Sequence, residues 1–254
     1  FEIETRLKKE LDIPVFHDDQ HGTAIVTAAG LSNALKVVGK KIENIKVVIN
    51  GAGAAGISIG KFLLSFGVTD LTMCDKFGII CEGDPQLNPA QAEISRITNK
   101  SHKKGLLADA MKGADVFVGV SAPNCVSKDM VRSMAKGAIV FTCANPVPEI
   151  PYEDAKAAGA AVVGTGSSQF PNQINNVLVF PGLFRGALDA RATTVNTEMM
   201  RAASLGIAGC VTEKELSPEY ILPYAYDKRA HDCVADAVKR AAIETGVSKL
   251  YKKV

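Results

Sequence analysis

Six residues, Gly51, Ala52, Gly53, Ala54, Ala55 and Gly56, join the continuous apolar run IKVVIN (45–50) to the helix-like run ISIGKFLLSFG (57–67). On its own a G-x-G-x-x-G spacing is a weak signal, because small residues crowd many helix starts. Directly after a β-branched strand and opening a helix, it has a physical meaning. The first glycine permits the tight turn, the second lets backbone approach a pyrophosphate, and the third allows the helix to pack closely on the strand. The N–H groups at the helix start then supply donors and a favourable dipole to an anion. These six residues are therefore candidate dinucleotide-binding residues.

The rest of the chain repeats the alternation of strand and helix. LTMCD (71–75), DVFVGV (115–120), AIVFTCA (138–144) and AVVGTG (161–166) read as strands, with helices at SKDMVRSMAKG (127–137) and PYEDAKAAG (151–159). Residues 76–105 read as polar and irregular, with one short helix around 92–98. Continuous apolar strands separated by helices imply an α/β fold, a doubly wound, mainly parallel sheet of Rossmann type, here with helical flanks at both ends. Three units are expected: a helical segment at 1–40, a dinucleotide-binding domain at 41–190 and a helical extension at 191–254. In the first, residues 1–11 suggest an amphipathic helix stopped by Pro14, and HDDQHGTAIVTAAGLSNALKVVG a second helix terminated at Gly39. In the run INNVLVFPGLFRGALDA (174–190), Pro181 and Gly182 are expected to bend or interrupt the helix.

With 47% apolar and 22% charged residues, the composition is that of a globular chain with a sizeable core. Lys and Arg number 29 against 27 Asp and Glu, a balance that argues against a nucleic-acid-binding surface. The basic tail SKLYKKV is read as solvated. No apolar run is long enough to span a membrane. Six cysteines are scattered with no CxxC pair, so a reducing, cytoplasmic setting is expected, with an organelle matrix left open. The chain opens FEIETRLKKE, without an initiator Met or a signal peptide, and reads as the tail of something longer.

Three clusters carry candidate chemistry. Asp75 ends the second strand roughly twenty residues beyond Gly51, where a carboxylate accepts from the adenosine ribose hydroxyls. Its charge favours NAD over NADP, although Lys76 offers a cation to a 2′-phosphate. Second, Asp18 and Asp19 sit between His17 and His21 in PVFHDDQHGT. They are either a charge cluster at a helix N-terminus or part of a divalent-metal site, and hard oxygen donors suit Mg²⁺ or Mn²⁺. Adjacent carboxylates in an extended segment point to opposite sides, so one is expected to ligate and its neighbour to hold another group. The placement of the two histidines across the helix start argues against a zinc pair. Third, Asn145 lies beyond the fourth strand's carboxyl end, and Asn175 and Asn176 follow the fifth. They can contact a nicotinamide amide or a substrate carboxylate there, or act as turn and helix caps.

Taken together, DIPVFHDDQHGTAIV, GAGAAGISI, DVFVGVSAP, ANPVPEI and FPNQINNVLVFPGLFRGALD resemble a malic enzyme of the compact bacterial and archaeal type. The matches fall in family order across nearly all of 1–190. The resemblance implies oxidative decarboxylation of L-malate to pyruvate and CO₂, with NAD or NADP reduced and Mg²⁺ or Mn²⁺ required. It implies Asp19 as metal ligand, Asp18 as the catalytic neighbour supporting the base or the site's hydrogen bonds, and Asn145 and Asn176 near both substrate and nicotinamide. The family's general acid, general base and Glu-Asp metal pair would lie upstream of Phe1, in an N-terminal domain this sequence does not include. A homodimer or higher homo-oligomer is expected. The other readings are a different Rossmann dehydrogenase, of amino-acid or shikimate type, and a non-catalytic dinucleotide-binding module.

Overall fold

The computed structural model describes residues 2–250; Phe1 of the predicted first helix and the YKKV end of the basic tail lie outside them. Its centre is a six-stranded sheet in the order β3-β2-β1-β4-β5-β6. The strands are β1 (Lys46–Asn50), β2 (Asp70–Asp75), β3 (Gly78–Ile79), β4 (Val116–Gly119), β5 (Ile139–Thr142) and β6 (Val162–Thr165). Five are parallel, as the sequence predicts. The sixth, β3, is a two-residue antiparallel return on β2, pairing Cys74 with Ile79 and Asp75 with Gly78. Two residues are too short to show periodicity, so this edge is not foreseen.

Side chains of successive strand residues leave on opposite faces, and both faces are covered. Val47, Ile49, Val116, Val118, Ile139, Phe141 and Val162 join one buried cluster with residues of α2 (Asp18–Val38), α3 (Ala54–Phe66), α8 (Phe180–Asp189), α9 (Thr197–Gly209) and α10 (Lys228–Glu244). Val48, Phe117, Val140 and Val163 join the other, with α5 (Leu107–Met111), α6 (Lys128–Arg132) and α7 (Tyr152–Ala157). This two-sided burial is why the strands read as unbroken apolar runs. Between β3 and α5 lies α4 (Pro89–Ser95), three residues earlier than predicted at its start because Asn88 and Gln91 form a capping box there.

Two helices depart from expectation. In α1 (Glu2–Glu10) the apolar residues Ile3 and Leu7 are exposed while Glu4 is buried. The inversion has a cause: Glu4 accepts from Lys8 at 2.7 Å and pairs with His21 of α2 at 2.8 Å. Burial alone would raise the Glu4 carboxyl, but these neighbours hold it below the usual range. In the 174–190 run, Pro181 does not interrupt a helix. A 3-10 turn covers Asn176–Leu178, and Pro181 falls in the first turn of α8, where its missing N–H has no partner to lose. Gly39 caps α2 in the left-handed region as predicted.

The long helix α2 is fully buried through its middle and packs against α3 and α9. A polar pin fixes it: Asn33, with no exposed surface, donates to the carbonyls of Ala208 at 2.9 Å and Ile221 at 3.0 Å. Removing this buried donor leaves the Ile221 carbonyl without its partner and the Ala208 carbonyl with only backbone donors such as Val211 N–H at 3.3 Å, and an unmet buried polar group is costly. Asn33→Ala is therefore expected to lower the unfolding free energy by about 3 kcal/mol, read as a fall in urea midpoint at constant slope. An unmoved midpoint would show the pin to be dispensable.

Candidate active site

β1 ends at Asn50 and the chain turns at Gly51, whose φ of +108° suits glycine and whose N–H donates to the Cys74 carbonyl at 2.9 Å. A Cβ there would stand 2.5 Å from the Val120 carbonyl oxygen of the neighbouring strand's loop. Gly56, in the first turn of α3, is pressed against the Gly51 carbonyl so closely that any side chain would overlap it. Between them Gly53 is exposed, caps α3 without a side-chain hydrogen bond, and has nothing within 4 Å of where a Cβ would be. The turn thus packs tightly on its inner side and is open on its outer side, where the first N–H groups of α3 are unpaired by any capping side chain. Ala54 and Ala55 form the first helical residues, and Ala52 is buried beneath them.

That open side faces a cavity of about 500 Å³, lined by Gly51, Ala52, Gly53, Asp75, Ser121 and others. Asp75 stands at its rim, at the end of β2. One of its oxygens accepts from the Lys76 N–H at 2.7 Å and the other from the Gln91 side-chain amide. Gln91 escaped the reading of the sequence. Its oxygen accepts from Asn88 N–H in the capping box at 3.1 Å, which turns its amide N–H₂ toward Asp75. The signal was present in Asn88-Pro89-Ala90-Gln91, a helix-start spacing, but nothing in it named Asp75 as the second partner. Lys76 lies over the Phe77 ring at 4.9 Å. A ribose and a pyrophosphate fit this arrangement: a bare backbone, unpaired helix donors and a fixed carboxylate at the strand end.

At the other end of the same sheet edge, Asp18 and Asp19 are the first two residues of α2, with His17 as its N-cap. They are helical rather than extended, so their side chains diverge by about 100° rather than pointing to opposite sides. Asp18 is half-buried and accepts from the Asn176 side-chain amide. Its other oxygen is buried without a partner. Gly22, one turn on, makes this possible, because a Cβ there would overlap the Asp18 carboxylate and crowd Asn176. Burial pushes the Asp18 carboxyl above its ordinary range, Asp19 adds to the effect and His17 opposes it. Asp19 is exposed. His21 turns away onto Glu4, and burial lowers it below the ordinary imidazole value against the pull of Glu4.

Asn176 reaches Asp18 because the chain after β6 folds back, with Gln173 bridging to Thr165 at the strand's end. Asn175 caps the 3-10 turn by accepting from Val177 N–H at 3.0 Å. Asn145 is exposed three residues beyond β5, next to Pro146 in a cis peptide. The structure thus joins Gly51, Ala52, Gly53 and Asp75 around one cavity, and Asp18 with Asn176 in one contact. Asp19 and Asn145 stand exposed at the sheet's carboxyl-end side. Among the described residues no group of three His, Cys, Asp or Glu side chains is placed to hold a metal ion. The orphaned Asp18 oxygen and the exposed Asp19 carboxylate are hard donors that fit a share of a divalent-cation site, not a whole one.

Residues 20–243 match the family model described as the malic enzyme, NAD binding domain. The chain is 59% identical over 251 residues to the bifunctional malic/malolactic enzyme of Bacillus subtilis (strain 168), covering 98% of this chain and 61% of that protein. It is 53% identical to the NAD-dependent malic enzyme of Geobacillus stearothermophilus, covering 98% of this chain and 52% of that one. The malic enzyme from Pyrococcus horikoshii Ot3 superposes with a TM-score of 0.94 at 43% identity, over 99% of this chain and 60% of that one. The chain therefore spans between half and two thirds of these relatives' length. A nucleotide cradle, a helix opening on paired carboxylates and these likenesses converge: the chain belongs to the malic enzyme family and carries its NAD-binding domain.

Proposed function

We propose that this chain supplies the cofactor half of an enzyme that converts L-malate and NAD(P)⁺ to pyruvate, CO₂ and NAD(P)H with Mg²⁺ or Mn²⁺. The observation that carries the reading is the pairing, on one sheet edge, of an open Gly53 cradle with the Asp18–Asn176 contact. When bound, NAD(P)⁺ would supply the hydride acceptor for C2 and a divalent cation would supply Lewis acidity to the C2 oxygen. The chain's own residues bind and orient. Gly51 to Gly56 admit the pyrophosphate, Asp75 accepts from the ribose, and Asp19 offers a carboxylate oxygen to the cation. Asp18 holds the Asn176 amide fixed, and Asn145 and Asn176 orient the substrate carboxylate and the nicotinamide. The general acid, the general base and the remaining metal ligands are assigned to no residue of this chain. Among the described residues no helix is long and apolar enough to cross a membrane. We read the enzyme as a cytoplasmic homo-oligomer, a dimer at least. Malate-dependent NAD(P)H formation with Mn²⁺ tests the reading, and its absence would sink it.

Asp75 supports NAD as the preferred cofactor. Its carboxylate, held by Gln91 and the Lys76 N–H, stands where a 2′-phosphate would come, and like charges at that range repel. Asp75→Ala is expected to weaken NADH binding about tenfold, and to leave NADPH unchanged or improve it with Lys76 as counter-charge. The check is the ratio of the two dissociation constants. If that ratio stays fixed, Asp75 does not set the preference.

A further inference from the structure

Glu149 has no exposed surface, and among the described residues no Lys, Arg or His pairs with it. Its carboxylate is met by N–H and O–H donors instead. One oxygen accepts from Ser121 N–H at 2.8 Å and, more weakly, from the Ser121 hydroxyl at 3.4 Å. The other accepts from Ala144 N–H at 3.2 Å. Ser121 begins the loop after β4, and Ala144 precedes Asn145 in the loop after β5. The Glu149 backbone adds to the tie, its carbonyl accepting from Val126 N–H at 3.0 Å while that of Pro148 accepts from Asn124 N–H at 3.0 Å. Beyond Ser121 the chain of contacts reaches β1, since the Asn50 amide donates to the Ser121 hydroxyl at 2.7 Å. Gly119 leaves the space, because a Cβ there would overlap the Glu149 carboxylate.

A buried carboxylate without a cation is a poor way to stabilise a core; a well-packed apolar residue is as good or better. What it can do is fix two loops that share no strand pairing. In the order β2-β1-β4-β5, Asp75 takes the adenosine end and Gly53 the pyrophosphate. The far end of a bound dinucleotide then lies over the loops of β4 and β5. We propose that Glu149 is a positioning residue for the nicotinamide end of the cofactor, acting by locking the Ser121 loop to Ala144 and Asn145. The adenosine end does not depend on it.

This assignment rests on dinucleotide binding in the cleft, so the experiment measures two ligands on the full chain, NADH and ADP. Glu149→Gln keeps an oxygen for Ser121 but turns an N–H₂ toward Ala144 N–H, setting donor against donor and freeing the β5 loop. NADH affinity is expected to fall about tenfold, some 1.4 kcal/mol, with ADP affinity changed less than about twofold, some 0.4 kcal/mol. Gly119→Ala displaces the same carboxylate from the strand beneath it and should give the same selective loss, whether or not the glutamine variant folds. Equal weakening of NADH and ADP, or no change in either, overturns the role of Glu149. If the unsubstituted chain binds neither ligand, the cofactor reading itself fails and this assignment with it.

Discussion

Gly53→Val is expected to weaken NADH binding by about a hundredfold or more, some 2.7 kcal/mol, while leaving the thermal midpoint almost unmoved. The two halves of that expectation have separate causes. Gly53 has φ −87° and ψ −167°, extended backbone that valine adopts without strain. Its Cβ direction meets no protein atom within 4 Å, so the free protein has nothing to push against, and an exposed substitution of this kind stays within about 0.5 kcal/mol. A bound pyrophosphate needs that same space, because the middle glycine is where backbone and phosphate come together. Gly56→Ala provides the contrast. Its Cβ would collide with the Gly51 carbonyl, a backbone atom that cannot swing aside, so α3 must shift off β1. Stability and binding should then fall together, by about 1–3 kcal/mol of unfolding free energy for the overpacked contact. Fluorescence titration with NADH beside a melting curve reads both quantities. A Gly53→Val variant that binds NADH within threefold of the parent would mean the cofactor runs elsewhere.

The parts of this site legible in the sequence are those whose meaning is local. Gly51 to Gly56 follow a strand and open a helix within a dozen residues, and Asp75 ends the next strand, so spacing alone places them on one edge. The five parallel strands were legible for the same reason, since burial on both faces leaves an unbroken apolar run. What escaped depends on partners far apart in the chain. Asp18 and Asn176 are 158 positions apart, and only the return of the chain after β6 brings them together. Gln91 closes a capping box with Asn88, and its amide also reaches across to fix Asp75, a partner 16 positions away. Glu149 followed two prolines in a loop and showed nothing of the Ser121 and Ala144 donors it would meet. The inverted face of α1 is similar: an amphipathic helix at 1–11 turns Leu7 inward, but Leu7 is exposed and Glu4 is buried because Lys8 and His21 are there to receive it. Apolar patterning records where water is excluded on average, and a charged residue whose partners lie in another element breaks the pattern without announcing why.

Asp19→Asn is expected to lower malate-dependent NAD(P)H formation by about a thousandfold while leaving NADH affinity within twofold. The residue is exposed at the start of α2, so little packing is at risk. The loss of one negative charge near a helix N-terminus costs about 0.3–1 kcal/mol of stability. The effect on turnover is of a different size. An amide oxygen is a far weaker donor to a hard divalent cation than a carboxylate, and Lewis-acid stabilisation of a developing charge is worth several kcal/mol, about 4 for a thousandfold loss. Asp18→Asn should also spare the fold. Its amide oxygen can still accept from Asn176, and the new N–H₂ takes the buried space beside Gly22 where the unpartnered oxygen stands. That oxygen already lacks a partner, and burial together with Asp19 already disfavours its charge, so the neutral amide adds little further cost and that variant should keep its stability while losing activity. Rates taken across a range of Mn²⁺ concentrations, with melting curves for both variants, check both expectations. Full activity of Asp19→Asn at ordinary Mn²⁺ would remove it from the metal site and leave the pair as a charge cluster at a helix start.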